Sequence, residues 1–513
     1  MDEQTSLIAA HPKGESDLQV LDALAELIKV DTYSGVVHVD LCPGAPVTAL
    51  GQLVFYVDFL KTSGLFESWV EGCPLDQISP NAHDKIDILG TIMLSVLNGH
   101  TRYSHVTALR SDGVNPGLLG MTEVVSEDSA RKAFRAVDST AAEAWMSKHL
   151  EACYAPLLQE SWVLDIDTRV KTIYGKQEGA EVGYNPHKPG RPSHTYHTYF
   201  ISRIRLILDV EVQPGKKTAS CYTMPRLWRY LDGISPSAWP SLIRGDCAFG
   251  NEGVMVEAEK RQLNYLFKLR QTSGVKKLIN RLFHHDDWSF ADKGWEGVSA
   301  SLKLSGWTRE RRVVVLRRKV HSAVVLRPGG QTELVFTQDL NGTTYEYAVL
   351  VTNLGLSIAL MAQGYRDRAD AENVFDELVN QWGWCGFTTR DLLRCNLMAR
   401  IIALIYNWWS LFVRLAIPDR HAEAVTSRPL LLHGVARKTH SGGQTTLHIT
   451  STHSKANQAS MVLASICALL RAFRATTEQL PREERWRLLL SRIFAQFIDG
   501  RPLQHPPAQI NGP

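Results

Sequence analysis

Four acidic positions in this 513-residue chain stand where carboxylates could act together: Asp165 and Asp167 in SWVLDIDTRV, Asp246 in SLIRGDCAFG, and Glu372 in YRDRADAENVFDEL. Trp162, Leu164 and Ile166 alternate with Val163, Asp165 and Asp167, so the first stretch reads as a strand with both carboxylates on one face. A second short strand ends at Gly245-Asp246, ahead of a Gly250-Asn251 turn. Tyr365, Arg368 and Glu372 recur at steps of three and four, which puts them on one face of a helix with Arg368 and Glu372 a single turn apart. Three or four carboxylates converging on a pair of hard divalent cations activate a water or hydroxyl and stabilise a departing oxygen, the chemistry of nucleotidyl transfer. Such a site suits Mg²⁺ and needs no Cys or His. On spacing alone, either Asp165 or Asp167 serves as the first acid.

The surrounding pattern supplies elements to hold these residues. Residues 1–35 are polar and read as a flexible segment, and 36–155 read as a helical DNA-binding domain. In that domain VSEDSARKAF offers Ser126 and Ser129 as alternative caps ahead of a basic helix bearing Arg131, Lys132 and Arg135. Residues 156–282 alternate strands and helices, as a partly parallel sheet requires. Residues 283–345 change texture: RRVVVLRRKV, SAVVLR and TELVFTQDL, punctuated by RPGGQ and LNGTT, read as a β-rich insertion. The α/β pattern resumes over 346–390 with YAVLVTNL and the Glu372 helix; 391–499 read as a mostly helical C-terminal region, and 500–513 as a Pro-rich disordered tail.

These ordered stretches resemble DDE transposases of bacterial insertion sequences, specifically the insertion-sequence-four superfamily and its thirteen-eighty branch. The likeness is carried by LDIDT with YGKQEGAEVGYNPHKPGRPS, by IRGDCAF, YAVLVTNL and YRDRADAEN, and extends to RYSHVTALRSD and VVSEDSARKAF. It implies a ribonuclease-H-like α/β catalytic core with the β-rich insertion between its second and third acids. It also implies the acids Asp167, because Thr168 follows it, Asp246 and Glu372. Asp165, on the same strand face, is then an auxiliary metal ligand or itself the first acid. The family's helix signature is Tyr, two residues, Arg, three residues, Glu, six residues, Lys. Tyr365, Arg368 and Glu372 fit it, with Tyr365 and Arg368 facing the DNA end, but Val379 occupies the lysine position. The implied activity is cutting at terminal inverted repeats and joining of the 3′ ends to target DNA, with Mg²⁺ replaceable by Mn²⁺, by a homodimer synapsing two ends. The alternatives are a related nuclease without strand transfer and a domesticated copy that only binds DNA.

Further cations are candidate DNA contacts: Lys188 and Arg191, beside Tyr184 and His187 in the Pro/Gly loop, and Arg311, Arg312, Arg317 and Arg318 flanking one strand, together with Arg131 and Arg135. The net charge of +3 does not decide the matter, because a phosphate backbone reads local patches. Trp288, Trp295 and Trp307 could stack on a displaced base or fill a core. FHHDDW reads as a solvated turn, since adjacent residues rarely face one ion. Eight cysteines without a CxxC pair suit a reducing, cytoplasmic setting, nucleoid-associated when on DNA. The apolar run NLMARIIALIYNWWSLFVRLA is interrupted by Arg400, Asn407 and Arg414, which favours a buried helix over a membrane span.

Overall fold

The computed structural model describes residues 29–39, 44–75, 82–217, 219–320, 336–338, 343–501 and 503. The opening elements are strands β1 (Lys29–Thr32), β2 (Gly35–His38) and β3 (Val47–Thr48), then helices α1 (Leu53–Ser63), α2 (Leu65–Glu71), α3 (Lys85–Leu97), α4 (Asn115–Leu118), α5 (Glu127–Ala136) and α6 (Ser139–Ala152). The central region runs β4 (Val163–Thr172), β5 (Glu181–Val182), β6 (Pro192–Ile201), β7 (Leu206–Pro214), α7 (Ala219–Asp232), β8 (Leu242–Gly245), α8 (Glu252–Lys260), β9 (Tyr265–Lys268) and α9 (Ser273–Phe283). It continues through β10 (Ser289–Asp292), β11 (Trp295–Leu302), β12 (Arg311–Val320), β13 (Phe336–Gln338) and β14 (Thr344–Thr352). The last elements are α10 (Ile358–Arg366), α11 (Ala369–Gln381), α12 (Leu392–Ala416), α13 (Ala424–Leu431), β15 (Val435–Ser441), β16 (Gln444–Thr450), α14 (Ala456–Thr477) and α15 (Arg482–Ile493).

Local chemistry sets many of the helix starts. Ser126 accepts a hydrogen bond from the Ser129 amide, Asp138 from those of Thr140 and Ala141, Asn251 from Val254, Ser357 from Leu360 and Asp391 from Arg394. Each satisfies an amide that the first helical turn leaves without a partner. Of the two Ser caps that VSEDSARKAF offered, Ser126 is the one used.

The architecture is mixed α/β. Five strands lie in the order β7-β6-β4-β8-β9: β4 is central, antiparallel to β6 and parallel to β8, and β8 is parallel to β9. The strands of residues 289–352 do not make a separate sheet. β14 pairs antiparallel with β9, and β12, β11 and β10 follow outward, so one sheet runs through both regions. SAVVLR, RPGGQ and parts of TELVFTQDL and LNGTT lie outside the described residues.

The free edge of β7 explains the polar interruptions of the apolar run. That run is α12, a buried helix packed on β7. Asn407 accepts from the Ile207 amide and donates to the Ile207 carbonyl, both at 2.8 Å. Asn396 accepts from Val212, Arg400 Nε donates to the Val210 carbonyl, and Arg414 donates to the Ile204 carbonyl. Residues 396, 400, 407 and 414 share one helical face, so the polar groups that exclude a simple span are those that satisfy a sheet edge. By length and composition alone, α12 and α14 could each cross a bilayer; 89% of the apolar window of α12 is buried in the fold, against 22% for α14.

The structure refines three expectations. The region after residue 391 is mostly helical but also holds a hairpin, Val435–Ser441 and Gln444–Thr450 around Gly442-Gly443, and β15 also pairs with β3. The exposed β1–β2 hairpin, residues 29–38, straddles the boundary at residue 35 between the opening segment and the helical domain. The stretch Tyr365–Leu378 is not one regular helix, because α10 ends at Arg366 and α11 begins at Ala369. Asp367 and Arg368 keep right-handed helical backbone, but the Arg368 amide bonds the Tyr365 carbonyl, an i to i−3 step that tightens the junction.

Candidate active site

The acids are brought together by strand register. β4 and β8 run parallel with Asp165 opposite Arg244 and Ile166 opposite Gly245, so the next positions, Asp167 and Asp246, fall side by side where β8 ends. Gly245 leaves room for the buried Phe249 ring to pack on the end of the strand: a side-chain carbon there would lie 2.7 Å from that ring and 3.2 Å from Ile166. Asp246 Oδ1 accepts the Ala248 amide at 2.9 Å, which fixes the turn after the strand. The carboxyl ends of parallel strands are where open α/β sheets place their ligands.

The α10–α11 pair lies across the same face of β4. Arg368, at the junction, is buried at 5% exposure and donates to Asp167 Oδ1 at 3.0 Å and to Glu372 Oε1 at 2.5 Å. Its Nε is buried without a hydrogen-bond partner. Further along, Asp376 of α11 meets Arg169 of β4 at 4.0 Å. The positions 167 and 169 of the strand are thus tracked by 372 and 376 of the helix.

Electrostatics report the same convergence. Burial pushes the Asp167 carboxyl up to about 6; Arg368 opposes this, while the charges of Asp246 and Glu372 add to it. Arg368 is held above its ordinary range: burial works against its charge, but Asp167, Tyr365, Glu372 and Asp246 outweigh that. Tyr365, half-buried beside the same groups, is raised chiefly by burial.

Asp165 is in a different position. Arg244 Nε and Nη2 donate to its two oxygens, each at 2.7 Å, and Arg244 also bonds Ser202 and the Gly364 carbonyl. Asp165 is 1% exposed and Arg244 3%. Both carboxylate oxygens are engaged in a closed pair, so Asp167 rather than Asp165 is the acid that faces the open side.

An all-carboxylate set with an anionic surplus, one exposed member (Glu372) and one carboxyl raised chiefly by burial, with the other two acids adding to it, suits a hard divalent cation. Among the described residues, however, no three such side chains close on a common point. The Arg368 guanidinium stands between Asp167 and Glu372. It neutralises like charges that would otherwise repel, and a cation bound by both would require it to shift.

The proposed DNA contacts divide. Lys188 and Arg191 are exposed and lie over the Tyr174 ring. Arg135 is exposed; Arg131 lies over Tyr103 and within 3.7–3.8 Å of Glu127 and Asp128. The four insertion arginines do not form a free basic face. Arg311 is 4% exposed and bonded to Glu252 and Glu259, and Arg312 donates to the carbonyls of Leu354 and Leu356. Arg317 pairs with Glu296 and Arg318 with Glu346. Their guanidinium groups stack on Trp307 (Arg311), Trp288 (Arg317) and Trp295 (Arg318), which gives those three tryptophans an internal role. In FHHDDW, His285 lies 3.6 Å from Asp287 on an exposed turn. Arg244, Arg169 and Lys171 escaped the sequence reading, although Arg244 sits inside IRGDCAF and the other two continue the Asp165–Asp167 alternation.

A family model described as "Transposase DDE domain group 1" matches residues 44–471. No curated protein matches the chain. Among solved structures, the cryo-EM structure of piggyBac transposase synaptic complex with hairpin DNA aligns over 91% of this chain and 88% of that one, at 12% identity and a TM-score of 0.39.

Proposed function

This chain belongs to the transposase DDE domain group 1 family and is a DDE-type transposase, and from that premise we propose that Asp167, Asp246 and Glu372 are its catalytic acids. The substrate in this reading is double-stranded DNA at the terminal inverted repeats of an insertion sequence, cut to leave 3′ hydroxyls that then attack target DNA. The insertion-sequence-four superfamily, thirteen-eighty branch, is the proposed lineage, and the strand order β7-β6-β4-β8-β9 supports a ribonuclease-H-like core.

One observation carries the reading: parallel register sets Asp167 beside Asp246, and Arg368 ties Asp167 to Glu372. Asp167, Asp246 and Glu372 would hold Mg²⁺, or Mn²⁺ in its place. When bound, the ions would supply Lewis-acid stabilisation of the attacking and departing oxygens. The chain's own residues do the rest. Asp167 must lose its proton to serve as a ligand, which its raised pKa sets near pH 6. Glu372, exposed in the first turn of α11, would exchange its bond to Arg368 for the metal. Arg368, released from Asp167, offers paired N–H donors to a phosphate oxygen close to the scissile bond. Two chains would synapse two ends.

The test is a supercoiled plasmid carrying the inverted repeats incubated with protein and Mg²⁺. Cleavage with strand-transfer products is expected, and loss of both in EDTA or with Asp246→Ala. Cleavage that survives either condition would overturn the assignment, and cleavage without joining would leave a nuclease.

A further inference from the structure

A second basic feature lies along the same strand. Between the segment Thr101–Ser104, the α11–α12 connection and the far end of β4 is a cavity of about 530 Å³, well within the size of ligand-holding clefts. Its walls include three cations, Arg102, Arg131 and Lys171, and no acid. Tyr103 contributes an aromatic surface under Arg131. Arg131 has Glu127 and Asp128 nearby, whereas Lys171 has no carboxylate within ion-pair distance among the described residues and donates to the Thr388 hydroxyl alone.

Lys171 is partly buried, and burial lowers its pKa, so its charge stands there at a cost that an anion in the cavity would relieve. It shares the strand face of Asp167, four residues away, or roughly 13 Å at about 3.3 Å per residue. That is the span of about four duplex steps at 3.4 Å each. Val379 lines the same cavity, seven residues or about two turns beyond Glu372 along α11.

We propose that this cavity is a binding site for a backbone phosphate of the DNA end, a few nucleotides from the scissile bond, with Lys171 of the strand supplying the charge that Val379 of the helix does not. The site rests on the transposase reading above, since it places the phosphate relative to Asp167. Arg102 and Arg131 flank the anion, and the Tyr103 ring closes the floor against solvent.

The experiment measures binding of a fluorescein-labelled 20-base-pair duplex of arbitrary sequence across a KCl series. Lys171→Met is expected to reduce the slope of log K against log salt by about 0.9, one phosphate contact, and Lys171→Arg to preserve it. Val379→Lys in the Lys171→Met background is expected to restore the slope, and Val379→Lys alone to steepen it by a similar amount. The last variant keeps the test decisive even if Lys171→Met folds poorly. A slope unmoved by Lys171→Met, or unmoved by the added lysine at 379, would overturn the proposal. Cleavage by Asp246→Ala judges the catalytic reading separately, so the two fail independently.

Discussion

Asp165 and Asp167 stand two residues apart on the same face of one strand, and each has an arginine partner, yet the two pairs are built for opposite ends. Asp165 gives both oxygens to Arg244, which is itself held by Ser202 and a backbone carbonyl, and the whole group is out of water. Asp167 receives one hydrogen bond from an arginine shared with Glu372, and its acidity is disturbed by two further carboxylates. A closed pair fixes β8 against β4; an open, oversupplied one waits for more positive charge. The difference lies in how many oxygens are left unengaged, since residue type and strand face are identical.

The comparison can be broken at either end. The largest effect is expected on catalysis: Asp167→Ala should reduce plasmid cleavage to background while the protein remains folded by circular dichroism. Next comes stability. Arg244→Leu leaves Asp165 buried and unpaired and should cost about 3–5 kcal/mol in urea unfolding, and replacing Asp165 with Leu as well should recover most of it, as expected when both charges of a buried pair are removed together. Were Arg244→Leu harmless to folding, the closed pair would have no structural role.

Titration sharpens the contrast further. With Asp167 raised to about 6, Mn²⁺ affinity measured by calorimetry should fall about tenfold per pH unit below that point and level off above it. Arg368→Gln removes the group that lowers the Asp167 pKa, so the break in that profile should move to higher pH; a downward move would contradict the geometry.

The smallest effect concerns a third carboxylate–arginine group, at β7. Asp209 and Glu211 share Arg226 and Arg400 there, and Glu143 also reaches Arg226. Burial, aided by Asp209 and Glu143, pushes Glu211 up to about 7. A raised carboxyl contributes stability that is complete below its ordinary range and lost as pH rises through 7. Glu211→Gln should therefore stabilise the protein by about 1–3 kcal/mol at pH 8 and by little near pH 4, read as thermal midpoints at the two pH values.

Much of this was legible in the sequence because it depended on local pattern. Alternation placed Asp165 and Asp167 on one face, and a short apolar run ending in Gly-Asp placed Asp246 at a strand end. Other features depended on partners far away in the chain. Nothing near Asp165 shows that Arg244, 79 residues on, takes both its oxygens. The arginines around β12 looked like a surface because their acids, Glu252 and Glu259 of α8, Glu296 of β11 and Glu346 of β14, come from three other segments. The break before Ala369 was hidden because no proline or glycine marks it. By contrast, the β15–β16 hairpin carried its own signal, a Gly-Gly turn between alternating polar and apolar residues, which the helical reading of that region passed over.

The central claim is that Asp167 and Asp246, set side by side by parallel register, hold divalent metal together with Glu372. Anomalous diffraction from crystals soaked in Mn²⁺ tests it most directly. The account predicts a peak roughly 2.1 Å from oxygens of Asp167 and Asp246, with Arg368 displaced from between Asp167 and Glu372. A peak elsewhere, or none between those carboxylates at a pH above 6, would contradict it.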